Sequence, residues 1–164
     1  MKFAALLLAL AACSQSTRGT STVFRPVLPT TARSTRDSVV AAVIHEVVVH
    51  GLPIFHNERT VVIRNDSGLI SSSSLPLGDP VEFVLLDSVG IQDLANRVGE
   101  VNVLRLWPPV IGEDTARSGA SNGYVWRQAD SHTRRYQIFS VCAYRLRRVR
   151  EAWQVDSSLG CGVS

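Results

Sequence analysis

The strongest constraint on the fold of this 164-residue chain lies in roughly its last forty residues. Apolar and polar side chains alternate there in three runs that turn-forming residues separate, a pattern typical of antiparallel strands. We predict a meander of three strands over Tyr124–Gln128, Arg135–Arg148 and Trp153–Leu159. A sheet needs a second layer to cover its apolar face, so the preceding residues should supply helices.

The two cysteines of this region suggest a register for the last two strands. If Glu151-Ala152 is a two-residue loop, Cys142 lies opposite Cys161 and Arg147 lies opposite Asp156. The same register places Tyr144 opposite Leu159 and Arg148 opposite Val155. Glu-Ala is a poor pair for such a turn, and a four-residue loop gives the same pairing. We predict a Cys142–Cys161 disulfide, which in an oxidising compartment stabilises the fold by roughly 3 kcal/mol.

Two segments upstream are predicted to be helical. Residues 36–50 place valines and Ile44 at helical spacing, with Ser34 or Thr35 as N-cap and Gly51 as the end. Asp79-Pro80-Val81-Glu82 has the composition of a capping box with proline at the first helical position, which predicts a helix over 80–88. A break at Gly90 should separate it from a short helix over 91–97.

Further strands are predicted over Thr60–Arg64 and Val101–Leu106, and Trp107-Pro108-Pro109 should end the second. Residues 110–122 look like an open loop. The sequence thus predicts one α+β domain over 36–164, with two or three helices on an antiparallel sheet of four or five strands. At the level of fold, this arrangement is similar to a cystatin-like or nuclear-transport-factor-like roll.

The N-terminus has the features of a secretory signal. Lys2 precedes an apolar run over residues 3–12, which is too short to span a bilayer. Leu10-Ala11-Ala12-Cys13 resembles the lipobox of bacterial lipoproteins. The resemblance implies a signal peptide over residues 1–12, cleavage after Ala12 and lipid on the sulfur of Cys13. By further resemblance, Ser14 stands where lipoproteins kept in the inner membrane carry aspartate, which favours the outer membrane, facing the periplasm.

Residues 13–35 are predicted to form the lipidated cysteine and a flexible tether, because the segment is rich in serine, threonine, proline and arginine. Val23-Phe24 and Val27-Leu28 could dock on the body, so the boundary between tether and domain is soft. Removal of residues 1–12 removes the only lysine, so 16 arginines face 14 acids, a net charge of +2. This mild charge argues against a nucleic-acid partner.

No cofactor signature is present in the sequence, whether a nucleophile elbow, a phosphate-binding loop or a dinucleotide fingerprint. His45 and His50 are five residues apart, which places them about 140° apart on an α-helix, so they should not share an ion. A metal site from Glu46, His50 and His56 is an alternative, and it would support a hydrolase or metal-dependent enzyme.

The arginines are the most concentrated chemical feature. Arg145 and Arg147 share one face of a predicted strand, and Arg134 and Arg135 can approach it. These four residues form a candidate anion-binding face, because guanidinium groups bind phosphate and carboxylate bidentately. We therefore expect a non-enzymatic, membrane-anchored envelope protein that binds an envelope protein or an anionic envelope polymer. A carrier of small apolar ligands, with a pocket between helix and sheet, is a further alternative.

Overall fold

The structure is a computed structural model, and it describes residues 22–24, 34–51, 59–76, 81–130 and 136–163. Two α-helices lie in these ranges, α1 (Thr35–Glu46) and α2 (Ser88–Val98), and α1 continues as a π-helical turn over Val47–Gly51. The strands are β1 (Thr22–Phe24), β2 (Thr60–Arg64), β3 (Glu82–Leu86), β4 (Glu100–Leu106), β5 (Val110–Ile111), β6 (Thr115–Trp126), β7 (Tyr136–Val149) and β8 (Ala152–Val163). Short 3-10 turns cover Ser72–Ser74 and Gln128–Asp130.

The predicted α+β class is confirmed, but the sheet is larger than predicted and mixed. Its strand order is β1-β3-β2-β4-β6-β7-β8, with β5 beside β6. The strand β2 runs parallel to both β3 and β4, whereas the remaining pairs are antiparallel. The predicted C-terminal meander is β6-β7-β8. The strand β1 falls inside the interval predicted as a tether and forms the edge next to β3.

Each face of the sheet is covered by one helix over part of its area. Valines and Ile44 of α1 pack on one face, against a core that includes Phe83, Leu104 and Leu146. Ile91 and Ala95 of α2 pack on the other face, against valines of β2, β3 and β4. The helix α2 also reaches the end of β6, where Val125 packs against its core, but within the described ranges no helix covers this face over the rest of β6 or over β7 and β8.

The helix α1 is where the valine spacing predicts it. Ser34 caps it, since its hydroxyl accepts a hydrogen bond from the backbone N–H of Asp37 at 3.1 Å. The carboxylate of Asp37 in turn accepts hydrogen bonds from the hydroxyls of Ser34, Ser71 and Ser74. Burial raises the pKa of Asp37, but these serine hydroxyls outweigh it and hold the pKa below its ordinary value of 3.8. The helix start is thereby tied to the loop after β2.

The helix predicted over 80–88 is wrong, because residues 82–86 form strand β3. The sheet is covered on both sides at this point: Phe83 packs in the α1 core, whereas Val84 packs in the α2 core. A strand that is buried on both faces is a continuous apolar run, and this burial outweighs the local capping pattern. The helix that follows is capped by Asp87, which accepts a hydrogen bond from the N–H of Gly90 at 2.7 Å. Gly90 therefore lies in the first turn of α2 instead of breaking it.

The open loop predicted over 110–122 is also wrong. Val110–Ile111 forms β5, and most of the rest of the interval belongs to β6. The sequence does not predict β6 because its buried positions carry small residues instead of large apolar ones, as at Ala116, Ser118 and Ala120. Ala116 and Ala120 belong to the α1 core, so this face of the strand is buried although its side chains are small.

The register of the C-terminal hairpin is confirmed at its far end and wrong near its turn. Cys142 pairs with Cys161 as predicted, but two bulges shift the later pairs, so that Tyr144 faces Ser158 and Arg148 faces Trp153. The turn therefore consists of Arg150 and Glu151, one residue earlier than predicted. Arg150 adopts φ of 57°, a left-handed conformation that glycine adopts more easily.

Candidate functional site

Two regions of the surface gather the polar residues that the sequence singles out. The first is a groove between α1 and the turn of the β7–β8 hairpin, with a volume of about 620 Å³. His45, Glu46 and His50 contribute from the helix side, and Glu151 and Trp153 contribute from the hairpin. No arginine or lysine of the described ranges lines it, so its charged groups are carboxylates and imidazoles.

The two histidines of the groove are closer than the sequence predicts. Ideal α-helical geometry would direct His45 and His50 about 140° apart. His45 lies in the α-helical part of α1, but from Val47 to Gly51 the helix widens to π geometry, which has more residues per turn and so reduces the angle between the two histidines. The ring centroids lie 6.2 Å apart with an angle of 83° between the ring planes. The prediction that these rings point away from each other is therefore wrong, because the helix does not keep α geometry.

A buried phenol lies in the α1 core, to which Trp153 of the groove also belongs. Tyr144 of β7 is 3% exposed, and its hydroxyl has no hydrogen-bond partner among the described residues. Burial raises the pKa of Tyr144, and the carboxylate of Glu46 raises it further. Both effects favour the neutral phenol.

The alternative metal site predicted from Glu46, His50 and His56 is only partly described, because His56 lies outside the described residues. Within the described ranges, no three potential ligand side chains of histidine, cysteine, aspartate or glutamate stand close enough to hold a metal ion. The described part of the groove thus offers a pair of imidazoles, with Glu46 next to one of them in sequence.

The second region is the helix-free face of β6 and β7. Arg145 and Arg147 flank Leu146, which is fully buried in the α1 core, so both arginines lie on the opposite face. Arg117 of β6 lies directly opposite Arg145 in the register. The Nε atom of Arg147 lies 3.7 Å from Oδ1 of Asp156, and the two side chains remain 63% and 38% exposed. Arg134 and Arg135, the other two residues of the predicted anion-binding face, lie outside the described residues.

Sequence reasoning missed Arg117 because it treated 110–122 as a loop. The alternation Ala116, Arg117, Ser118 is the signal that could have placed it on a strand, since both neighbours are buried in the structure and Arg117 is exposed. On the same face of β4, Arg105 lies between the buried Leu104 and Leu106. We call Arg105, Arg117, Arg145 and Arg147 the arginine face.

An aromatic ring is part of this surface. Trp107 is 38% exposed, and its ring packs on Gly119 of β6, which is two residues from Arg117 on the same face. Hydrogen bonds fix its backbone, since the N–H of Trp107 donates to the carbonyl of Gly119 at 2.9 Å and the hydroxyl of Ser118 donates to the carbonyl of Trp107 at 3.0 Å. The backbone that carries the ring is thus fixed on the side of the sheet where the arginine face lies.

The predicted disulfide between Cys142 and Cys161 is present, and it joins β7 to β8 with Cα atoms 4.2 Å apart. It braces the hairpin whose first strand carries Arg145 and Arg147. Neither thiol is available as a nucleophile in this state.

Comparison with known proteins identifies no relative. No family model matches the chain, and no curated protein or solved structure matches it. None of the described helices has the length and apolar character required to cross a membrane. The functional argument therefore depends on the residues themselves.

Proposed function

We propose that this chain is a lipid-anchored envelope protein whose domain binds an anionic polymer through the arginine face. The observation that carries the proposal is the pairing of Arg117 with Arg145. They lie directly opposite each other on adjacent strands, both are exposed, and no described carboxylate is within salt-bridge distance of either. Like charges in this position destabilise a sheet, and a bound anion offsets that cost.

The chemistry of the face suits phosphate or carboxylate groups. A guanidinium group presents a planar fork of donors that matches both anions bidentately. Cross-strand side chains start about 5 Å apart, so Arg117 and Arg145 can hold one anionic group or two neighbouring ones. The salt bridge of Arg147 is exposed and therefore weak, so this arginine can exchange Asp156 for a ligand. Trp107 adds a rigid apolar contact next to these charges.

The anchor proposed at Cys13 would bring this face close to a membrane. Eight residues, 14–21, separate Cys13 from the first described strand, so Cys13 lies at most about 32 Å from Thr22 when they are fully extended. Several acyl chains hold a protein stably on a bilayer. A domain on so short a connection would meet polymers at the membrane surface, which supports an anionic envelope polymer as the partner.

The binding test uses fluorescein-labelled inorganic polyphosphate and poly-glutamate with the purified full chain. We expect saturable binding that weakens with salt, and the stronger of the two probes identifies phosphate or carboxylate as the preferred group. The double variant Arg117→Gln/Arg145→Gln should lower affinity at least about tenfold, because it removes two charge-assisted contacts. The matched control is Arg97→Gln/Arg127→Gln, which removes the same charge from exposed arginines elsewhere.

Equal loss in the two double variants would show that net charge alone attracts the polymers, and the arginine face would then have no special role. Absence of binding by the unchanged chain at low salt would also contradict the proposal. The anchor has a separate test: Cys13→Ala should leave an uncleaved precursor without lipid. Normal processing of that variant would refute the anchor and leave the binding result standing.

A further inference from the structure

We infer that His45 and His50 form a chelating site for a borderline divalent transition-metal ion such as Zn²⁺, Ni²⁺ or Cu²⁺. The observation is the π-helical turn over Val47–Gly51, which brings histidines five residues apart onto one side of the helix. Neither the arginine face nor the proposed anchor uses this turn.

The distance between the ring centroids is compatible with one ion shared by the two rings after a small movement. With metal–nitrogen bonds of about 2.0 Å, a coordinating imidazole has its centroid about 3.2 Å from the ion. At a tetrahedral angle, two such rings have centroids about 5.2 Å apart. The observed separation is 6.2 Å, so the rings need to approach by about 1 Å. The side chain of His50 is exposed, and a change of its rotamer can supply this movement.

The surroundings favour a cation. Glu46 and Glu151 line the same groove, and no arginine or lysine of the described residues does so. Arg148 faces Trp153 across the hairpin but does not line the groove. The carboxylates add attraction for a positive ion, and the open groove leaves the remaining coordination positions to water or to a ligand of the metal.

Ligand type predicts which ions bind. Imidazole nitrogens suit zinc, nickel and copper, whereas Mg²⁺ and Ca²⁺ require oxygen ligands. The site should therefore take Cu²⁺ most tightly, followed by Ni²⁺ or Zn²⁺, and it should ignore Mg²⁺. Two imidazoles from one rigid turn act as a chelate, so the loss of either should weaken binding by about a hundredfold.

The experiment is isothermal titration of the full chain, purified without a histidine tag, with Zn²⁺, Ni²⁺ and Mg²⁺. We expect one transition-metal ion per chain and no heat of binding for Mg²⁺. His45→Ala and His50→Ala should each lower the association constant about a hundredfold. The controls His56→Ala and His132→Ala remove the other two histidines of the chain and should leave it unchanged.

A second measurement identifies the metal ligands directly, so the test does not depend on affinity alone if a variant folds poorly. The electron paramagnetic resonance spectrum of bound Cu²⁺ should show two nitrogen ligands in the unchanged chain and one in either single variant. The inference is overturned if the unchanged chain binds no transition metal, if His45→Ala binds as tightly as the unchanged chain, or if His56→Ala loses as much affinity as His50→Ala.

Discussion

The contact between Trp107 and Gly119 yields the sharpest prediction about how the arginine face is held. A Cβ atom at Gly119 would lie 2.8 Å from the carbonyl oxygen of Cys142 and 2.7 Å from Cζ3 of Trp107, and closer still to Cε3. Favourable contacts between carbon atoms begin at about 3.5 Å. The carbonyl belongs to a paired strand, and the backbone of Trp107 is hydrogen-bonded to β6. Neither neighbour can therefore move away from the added Cβ atom without a loss of hydrogen bonds.

Gly119→Ala should therefore destabilise the domain. Overpacking lowers the free energy of unfolding by about 1–3 kcal/mol, and the smaller conformational entropy of alanine in the unfolded chain raises it by less than about 1 kcal/mol. We expect a net loss of about 1–2 kcal/mol, which lowers the midpoint of urea unfolding by roughly 0.5–1 M. The matched control is Gly162→Ala in β8, where an added Cβ has no neighbour within 4 Å.

A third variant separates the two clashes. Trp107→Ala/Gly119→Ala removes the ring and keeps the overlap with the carbonyl oxygen of Cys142, so alanine at 119 should cost less in that background than in the unchanged chain. The reasoning is refuted if Gly119→Ala is as stable as Gly162→Ala, or if removal of the ring leaves the cost of alanine undiminished.

Three further predictions concern stability. Asp37→Asn should lower the free energy of unfolding by about 1–2 kcal/mol at neutral pH, because the variant loses hydrogen bonds from serine hydroxyls. The pKa of Asp37 is lowered on folding, so its contribution to stability is present above pH 3.8 and is lost as the pH falls through the lower folded value. The unfolding curves of the two chains should therefore converge in acid. Cys142→Ala/Cys161→Ala should cost about 3 kcal/mol in chemical denaturation, and equal stability with and without the bridge would contradict the loop-entropy argument. Arg150→Gly should raise the free energy of unfolding by about 0.5–1 kcal/mol because φ of 57° strains arginine, and unchanged thermal unfolding would contradict that.

The parts of the fold that the sequence predicts are those in which local pattern and tertiary environment agree. The meander was predictable because β7 alternates buried and exposed residues along Tyr144–Arg147, with one face in the core and one in solvent. The first helix was predictable because its valines are spaced for burial on one side, and Ser34 supplies a cap. In both cases the periodicity of the element and the direction of burial coincide.

The failures have the opposite cause. The cap-like residues before β3 predict a helix locally, but Phe83 and Val84 are buried on opposite faces of a sheet that only the whole fold creates. The strand β6 was missed because close packing against Trp107 requires Gly119 and small neighbours, which resemble loop composition. Arg117 was lost from the candidate face together with that strand.

The histidine pair shows a limit of a different kind. The spacing of His45 and His50 was interpreted with ideal α geometry, under which the residues diverge. Nothing in the run Val47–Gly51 marks a π-turn, and Val47 and Val48 are buried in the α1 core as they would be in an α-helix. Five-residue spacing near a helix end is thus compatible with a shared site when the last turn is π-helical.

The two sites lie on opposite faces of one sheet, and this arrangement makes them separable. Trp153 belongs to the α1 core and lines the groove, whereas Arg145 and Arg147 point away from that core. Because the sheet lies between the two sites, an anion bound on one face cannot contact a metal ion bound on the other. Arg117→Gln/Arg145→Gln should therefore leave the Zn²⁺ affinity unchanged, and His45→Ala should leave polyphosphate binding unchanged. A change of more than about threefold in either titration would mean that the groove and the arginine face act on one ligand together.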